Sequence, residues 1–144
     1  MALDREALAD LPISQYFLAC NRGDVASMLA IFSEDAEVRF MSAGFRYQGL
    51  DALRAHFEEF RDTFPGIDFR DFDVVADVER QCVAVRFELE LTDSNGTRSL
   101  MGNCNVFYLN AHGRVRNLVI YDTAPLDEGF EAGNTADGGN GREP

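Results

Sequence analysis

Residues Tyr16–Phe40, YFLACNRGDVASMLAIFSEDAEVRF, change periodicity twice within one short run. Ile13, just upstream, shares a helical face with Tyr16, Phe17 and Cys20, the spacing of an amphipathic helix. Gly23 stops that helix and Asp24 is a good N-cap for the next, since its carboxylate can accept from the free amides of a first turn. The second helix is predicted over residues 25–33, with Val25, Met28, Leu29 and Phe32 on one side. Strict alternation follows. Ala36, Val38 and Phe40 point one way and Glu37 and Arg39 the other, which predicts a half-buried strand.

Upstream, DREALADLPIS extends the first helix toward the N-terminus, with a break or first-turn proline at Pro12. Downstream, SAGFRYQG is a short hairpin-like excursion. Gly49 then precedes a helix over residues 50–64, whose apolar stripe is Leu50, Leu53, Phe57, Phe60 and Phe64. Pro65-Gly66 ends it. The remainder reads as strands: residues 67–80, 81–92, 97–110 and 114–123, with turns at DSNG and NAHG. Val83, Val85, Phe87, Leu89 and Leu91 alternate with Arg86, Glu88 and Glu90. From Pro125 the chain is rich in glycine and acid, so residues 125–144 are predicted to be a disordered tail after a single domain over 1–124.

Helix, helix, strand, helix and then four long strands predict an α+β fold. Three N-terminal helices would wrap a curved antiparallel sheet into a cone with an apolar cavity at its mouth. The net charge of −12 argues against nucleic acid, whose phosphates need a basic stripe, and against anionic membrane surfaces. No run approaches transmembrane length, and the charged N-terminus has no apolar core of a secretory signal. Cys20, Cys82 and Cys104 have no CxxC spacing, so a zinc ribbon or disulfide framework is not expected. Three unpaired cysteines suit a reducing cytoplasm. No phosphate loop, dinucleotide fingerprint or metal cluster is present in the sequence, so neither cofactor nor metal is expected.

Three strings, residues 16–40, residues 47–60 (YQGLDALRAHFEEF) and residues 112–125 (HGRVRNLVIYDTAP), together resemble the SnoaL-like polyketide cyclases of the nuclear transport factor 2-like superfamily, relatives of ketosteroid isomerase. The resemblance spans roughly residues 10–125. It implies the cone-shaped fold with high specificity and the reaction with low specificity, because this fold hosts many activities. In the cyclases an acid near the end of the last strand is the general acid/base, and Asp122 matches it. In the isomerases a first-helix tyrosine holds the oxyanion, and Tyr16, seven residues before Gly23, matches it. Asn105 falls at or near the isomerases' second donor. Phe40 stands where the isomerase base would be, which argues against a steroid isomerisation. His56 matches a pocket-lining position on the third helix. The family commonly pairs through the outer face of its sheet, which makes a homodimer the default.

Alternation adds to this without the family. Leu118, Ile120 and Asp122 share the apolar face of the last strand, and Asn103 and Asn105 share one face of the strand before it. Asp122 is either a strand-ending turn former or a pocket base. His56 is either a half-solvated boundary residue or the second titrating group of the cone. Tyr16 is either a core aromatic or a donor to a substrate carbonyl.

The expected site is therefore catalytic Asp122, His56, Tyr16 and Asn105, with Phe17, Phe32, Phe40, Phe60, Phe87, Asn103 and Ile120 lining it. Its ligand would be a small apolar, carbonyl-bearing metabolite such as a polyketide intermediate, subject to cyclisation, isomerisation or elimination. Two alternatives stand beside this. One is a non-catalytic binding or scaffold protein, favoured if Asp122 points to solvent or Phe side chains fill the cone. The other is an epoxide hydrolase, whose family chemistry needs an inward arginine, whereas Arg39, Arg86 and Arg116 fall on polar faces.

Overall fold

The computed structural model describes residues 2–123; the tail predicted over 125–144 lies outside them. The first helix is continuous but changes pitch. Helix α1 (Arg5–Pro12) starts at Asp4, whose side chain accepts from the Ala7 amide. A π-helical turn (Ile13–Phe17) follows, then α2 (Leu18–Asn21). Pro12 lies inside the helix rather than breaking it. Proline cannot donate to the preceding turn and crowds its carbonyl, and the wider turn immediately after it accommodates the disturbance. Gly23 closes the helix with φ +70°. Asp24 caps α3 (Val25–Leu29) through the Ser27 amide and hydroxyl.

That helix is shorter than its pattern suggests. Strand β1 (Phe32–Phe40) already begins where helix was expected. The Ile31 carbonyl accepts from the Val115 amide, and Phe32 pairs with Val115, so a distant strand recruits this end. Strand β2 (Phe45–Gln48) returns along β1. Gly49, at φ +89°, then starts α4 (Leu50–Thr63).

Strands β3 (Gly66–Asp77), β4 (Cys82–Thr92), β5 (Arg98–Leu109) and β6 (Val115–Tyr121) complete one six-stranded sheet of order β2-β1-β6-β5-β4-β3. Neighbours pair antiparallel except β1 and β6, which run parallel, so the sheet is mixed rather than wholly antiparallel. It is curved and unclosed. A bulge interrupts β3 between Arg70 and Asp73, with Asp71 at φ +58°. The extra residue reverses the alternation, so Phe69 faces inward before it and Phe72 and Val74 after it.

Helices pack on the inner face only. Phe17 is fully buried against the rings of Phe69, Phe72, Phe87 and Phe107. Leu53 and Phe57 bury the stripe of α4. Two side-chain clamps tie the two ends of the first helical segment to β3 and to the β3–β4 turn. Asn21 exchanges hydrogen bonds with the Phe69 backbone at 2.8 and 3.0 Å, and Gln81 does the same with Leu3. The outer face is charged. Arg70 bridges Asp68, Glu88 and Glu90, and Arg86 meets Asp73.

Candidate functional site

A cavity of about 140 Å³ lies between the first helix, α4 and the inner face of the sheet. Phe40, Phe60, Phe87, Asn103 and Ile120 line it as expected, together with Tyr16, His56 and Asn105. Cys20, Met28, Phe57, Phe69 and Leu89 complete the wall. Their helical and alternating spacing marked several of these as core, but nothing in the pattern separates a core position from a cavity wall. Among the described residues no charged side chain is in the lining. Such a space favours a neutral occupant, since an ion would lose its hydration without a counter-charge.

Polar atoms enter from three sides. The π turn carries Tyr16 inward, where its ring sits edge-on to Phe17, Phe32, Phe57 and Phe107. Burial holds its hydroxyl pKa well above the ordinary tyrosine range, and the neighbouring Cys20 adds to that. The group is therefore a persistent O–H donor. Burial likewise pushes the Cys20 thiol up to about 12, which leaves it protonated and a poor nucleophile.

From α4, His56 reaches the cavity half-buried among rings. Tyr47 stacks on it and Phe40 and Phe57 surround it. Burial lowers its pKa below 6.5, with Glu59 pulling weakly the other way, so the imidazole is neutral at pH 7 and able to take a proton.

From the sheet, Asn105 and Asn103 point inward, only 2% and 8% exposed. Asn105 lies in a row across four strands, paired with Val85 on β4 and with Ile120 on β6, which in turn pairs with Phe40 on β1. Its amide is thus surrounded by apolar side chains, and its Oδ1 is buried without a hydrogen-bond partner among the described residues. An orphaned buried acceptor costs about 1–3 kcal/mol. Asn103 differs, because its Oδ1 accepts from the Thr123 amide at 3.2 Å.

Three expected residues stand elsewhere. Asp122 does not line the cavity. β6 ends at Tyr121, one residue earlier, and the Asp122 carboxylate accepts from the Ser42 hydroxyl at 2.5 Å. It sits at the rim, between Ile120, which lines the cavity, and Thr123, whose amide donates to the lining residue Asn103. Phe17 and Phe32 are also absent from the lining. Both are 2% exposed or less and pack behind lining residues, Phe32 on Tyr16 and Phe57 and Phe17 on Tyr16, Phe69 and Phe87. Arg39, Arg86 and Arg116 are exposed, as their alternation requires.

The sequence profile of the SnoaL-like domain matches residues 13–118. No curated protein matches the chain. Among solved structures, a candidate isomerase of Bacillus subtilis shares 14% identity, covers 96% of this chain and 99% of its own, and superposes with a TM-score of 0.73. A candidate polyketide cyclase of Xanthomonas campestris pv. campestris shares 23%, over 82% of this chain and 92% of its own, with a TM-score of 0.72. SalBIII, an epoxide hydrolase/cyclase-like enzyme with a role in forming the pyran ring of the polyether salinomycin, shares 23%, over 84% and 95%, with a TM-score of 0.65. At these identities the likeness is one of fold.

Proposed function

The chain belongs to the SnoaL-like family, and from that premise we propose that it is a cofactor-independent enzyme moving a proton on a small, neutral, carbonyl-bearing molecule. The observation that carries this reading is the set of polar groups in one apolar cavity: neutral His56, protonated Tyr16 and the buried amide of Asn105, whose oxygen has no partner among the described residues. His56 takes a proton from the carbon beside the carbonyl. The C–H electron pair becomes the enolate double bond, and the oxygen gains the negative charge. The Tyr16 hydroxyl and the Asn105 NH₂ hold that oxygen, a stabilisation that grows as charge develops. Return of the proton at another atom isomerises the molecule. Attack of the enolate carbon on a second carbonyl closes a ring, and the alkoxide so formed takes the proton back from His56. A polyketide intermediate whose reacting end has the size of a single ring fits this description.

The test is deuterium exchange at the α-carbon of cyclohexanone in D₂O, followed by NMR. The wild-type protein should accelerate it, and His56→Gln should slow it by about 10²-fold. A folded His56→Gln with unchanged exchange overturns the assignment.

One observation favours a second reading, a binding protein without catalysis. The carboxylate expected to work as the base is held by Ser42 at the rim. Saturable binding of cyclohexanone with no acceleration of exchange would decide for it. The epoxide hydrolase alternative gains no support from the lining, which contains neither arginine nor carboxylate. We place the protein in a reducing cytoplasm, in keeping with its three free cysteines. No helix among the described residues is long and apolar enough to cross a membrane. Exposed Val75, Leu100 and Tyr121 on the outer sheet face support a homodimer, and light scattering of the purified protein would test it.

A further inference from the structure

Asn105 is the most buried polar side chain of the cavity, and its amide oxygen accepts from no described residue. An amide offers a lone-pair oxygen beside an NH₂ in one plane. A group that satisfies both ends at once must bring its own donor and its own acceptor side by side. A ketone oxygen alone satisfies only the NH₂ and leaves Oδ1 desolvated and unpaired. A carboxylate brings two acceptors and a charge into a lining without a counter-charge. A hydroxyl close to the carbonyl supplies the missing donor and stays neutral.

We infer that the ligand of this cavity is a neutral hydroxy-carbonyl compound, bound through Asn105 with the carbonyl oxygen accepting from Nδ2 and the hydroxyl donating to Oδ1. This rests on the proposed function and deepens it, since the same NH₂ that binds the ground-state carbonyl holds the enolate oxygen. The neighbouring residues agree with the assignment. Asn103 Oδ1 already accepts from the Thr123 amide, so its burial is compensated, whereas Asn105 Oδ1 has no such partner among the described residues. Tyr16 remains protonated and serves the carbonyl. Among the described residues Asn105 Oδ1 is therefore the buried side-chain acceptor left unpartnered, and it selects for the hydroxyl.

The size of the cavity, about 140 Å³, sets the scale of the part enclosed. An engineered apolar cavity of about 150 Å³ accommodates benzene, so the enclosed portion is one six-membered ring. The ring carries the two oxygens within two or three carbons of one another, because the two ends of one amide cannot reach further apart. Such compounds are products of aldol addition or substrates of dehydration. The enzyme thereby stands next to a carbon–carbon bond-forming or water-eliminating step.

The experiment compares 3-hydroxycyclohexanone, cyclohexanone and cyclohexanol by NMR titration of the full chain. The side-chain amide resonances of Asn105 and the backbone of the cavity are followed together. The hydroxy-ketone should bind about tenfold or more tightly than cyclohexanone, because a site built for a hydrogen bond rejects the analogue that lacks it. It should also shift the Asn105 side-chain NH₂ signals. In Asn105→Leu, a substitution of similar volume, the two affinities should converge while cyclohexanone still binds. Equal affinities in the wild-type protein, or a preference that survives Asn105→Leu, would overturn the inference. If the variant does not fold, silence of the Asn105 NH₂ resonance in the wild-type titration overturns it alone. Equal ketone affinities with His56-dependent exchange would leave the proposed function standing without this inference. Binding of no ketone together with no exchange would remove both.

Discussion

His56 lies nearly flat on Tyr47, with ring centroids 4.2 Å apart and planes 21° from parallel. The short edge strand β2 thus covers the one imidazole that reaches the cavity. Removing water from the ring disfavours its cation, and the pKa falls below 6.5 with burial as the larger cause. The linkage follows in sign. The unfolded chain takes up the proton first as pH drops, so the stability associated with neutral His56 is whole above about 6.5 and is lost as pH falls through the lower folded value. We expect the His56 ring resonances to titrate below 6.5, and Tyr47→Ala to raise the midpoint by uncovering the ring. Proton transfer should show its acidic limb at the same folded value, and His56→Gln should remove that limb.

Tyr16 separates catalysis from packing. Its ring meets four phenylalanines edge-on, and a phenyl ring would keep those contacts. Its hydroxyl bonds no described residue, so Tyr16→Phe should change stability by less than about 0.5 kcal/mol in urea denaturation. Loss of one oxyanion donor typically costs about 10²–10³ in rate. We expect α-proton exchange to fall by about that factor while the melting behaviour is unchanged. A rate within twofold of the wild type would confine Tyr16 to the core.

Sequence periodicity reveals what is local. The face Val83, Val85, Phe87, Leu89 and Leu91 is buried throughout, and Leu53 and Phe57 bury the stripe of α4. Pairings between distant segments are not local, and these escape the pattern. The parallel contact of β1 with β6 turns the end of the second helix into strand at Phe32. The bulge at Asp71 reverses the faces of β3. The same holds for the site. Alternation assigns Asp122 to the side of Ile120, but the strand stops first and Ser42 from the β1–β2 turn captures the carboxylate. Phe17 and Tyr16 are adjacent in sequence, and only the packing of the π turn decides which lines the cavity and which lies behind it. Asn103 and Asn105 were legible as a pair, because asparagine is depleted in strands, but their inward face follows from the register of β5 with β4 and β6, which alternation alone leaves open.

Two glycines give opposite expectations for one substitution. Gly66 pairs with Thr92 where β3 begins, and a Cβ there would stand 2.8 Å from both Cβ and Oγ1 of Thr92. Neither atom is the far end of a flexible side chain, so β3 and β4 must part locally. Gly66→Ala should destabilise by about 1–3 kcal/mol. At Gly102 a Cβ meets nothing within 4 Å. Gly102→Ala should be neutral or stabilise by up to about 1 kcal/mol through the lost freedom of the unfolded chain. Urea midpoints of the two variants, with unchanged slopes, would check both.

Asp122 and His56 compete for one role, and their variants divide the possibilities. Asp122 accepts from Ser42 in an exposed position at the rim. A hydrogen bond of that kind contributes about 0.5–1.5 kcal/mol at most, and an asparagine can still accept it through its side-chain oxygen. Asp122→Asn should therefore leave both the fold and the exchange rate within about twofold of the wild type, since a negligible change in the barrier is expected from a group that does not touch the substrate. Ser42→Ala should behave alike, because it removes only the partner at the rim. His56→Gln should lose about 10²-fold under the same conditions. If Asp122→Asn instead loses activity while Ser42→Ala keeps it, the carboxylate turns inward during the reaction and takes the proton itself. Loss in both Asp122→Asn and Ser42→Ala would mean that the rim contact positions Phe40 and Ile120 beside the bound ring, which a rise in KM at constant kcat would distinguish from a lost base.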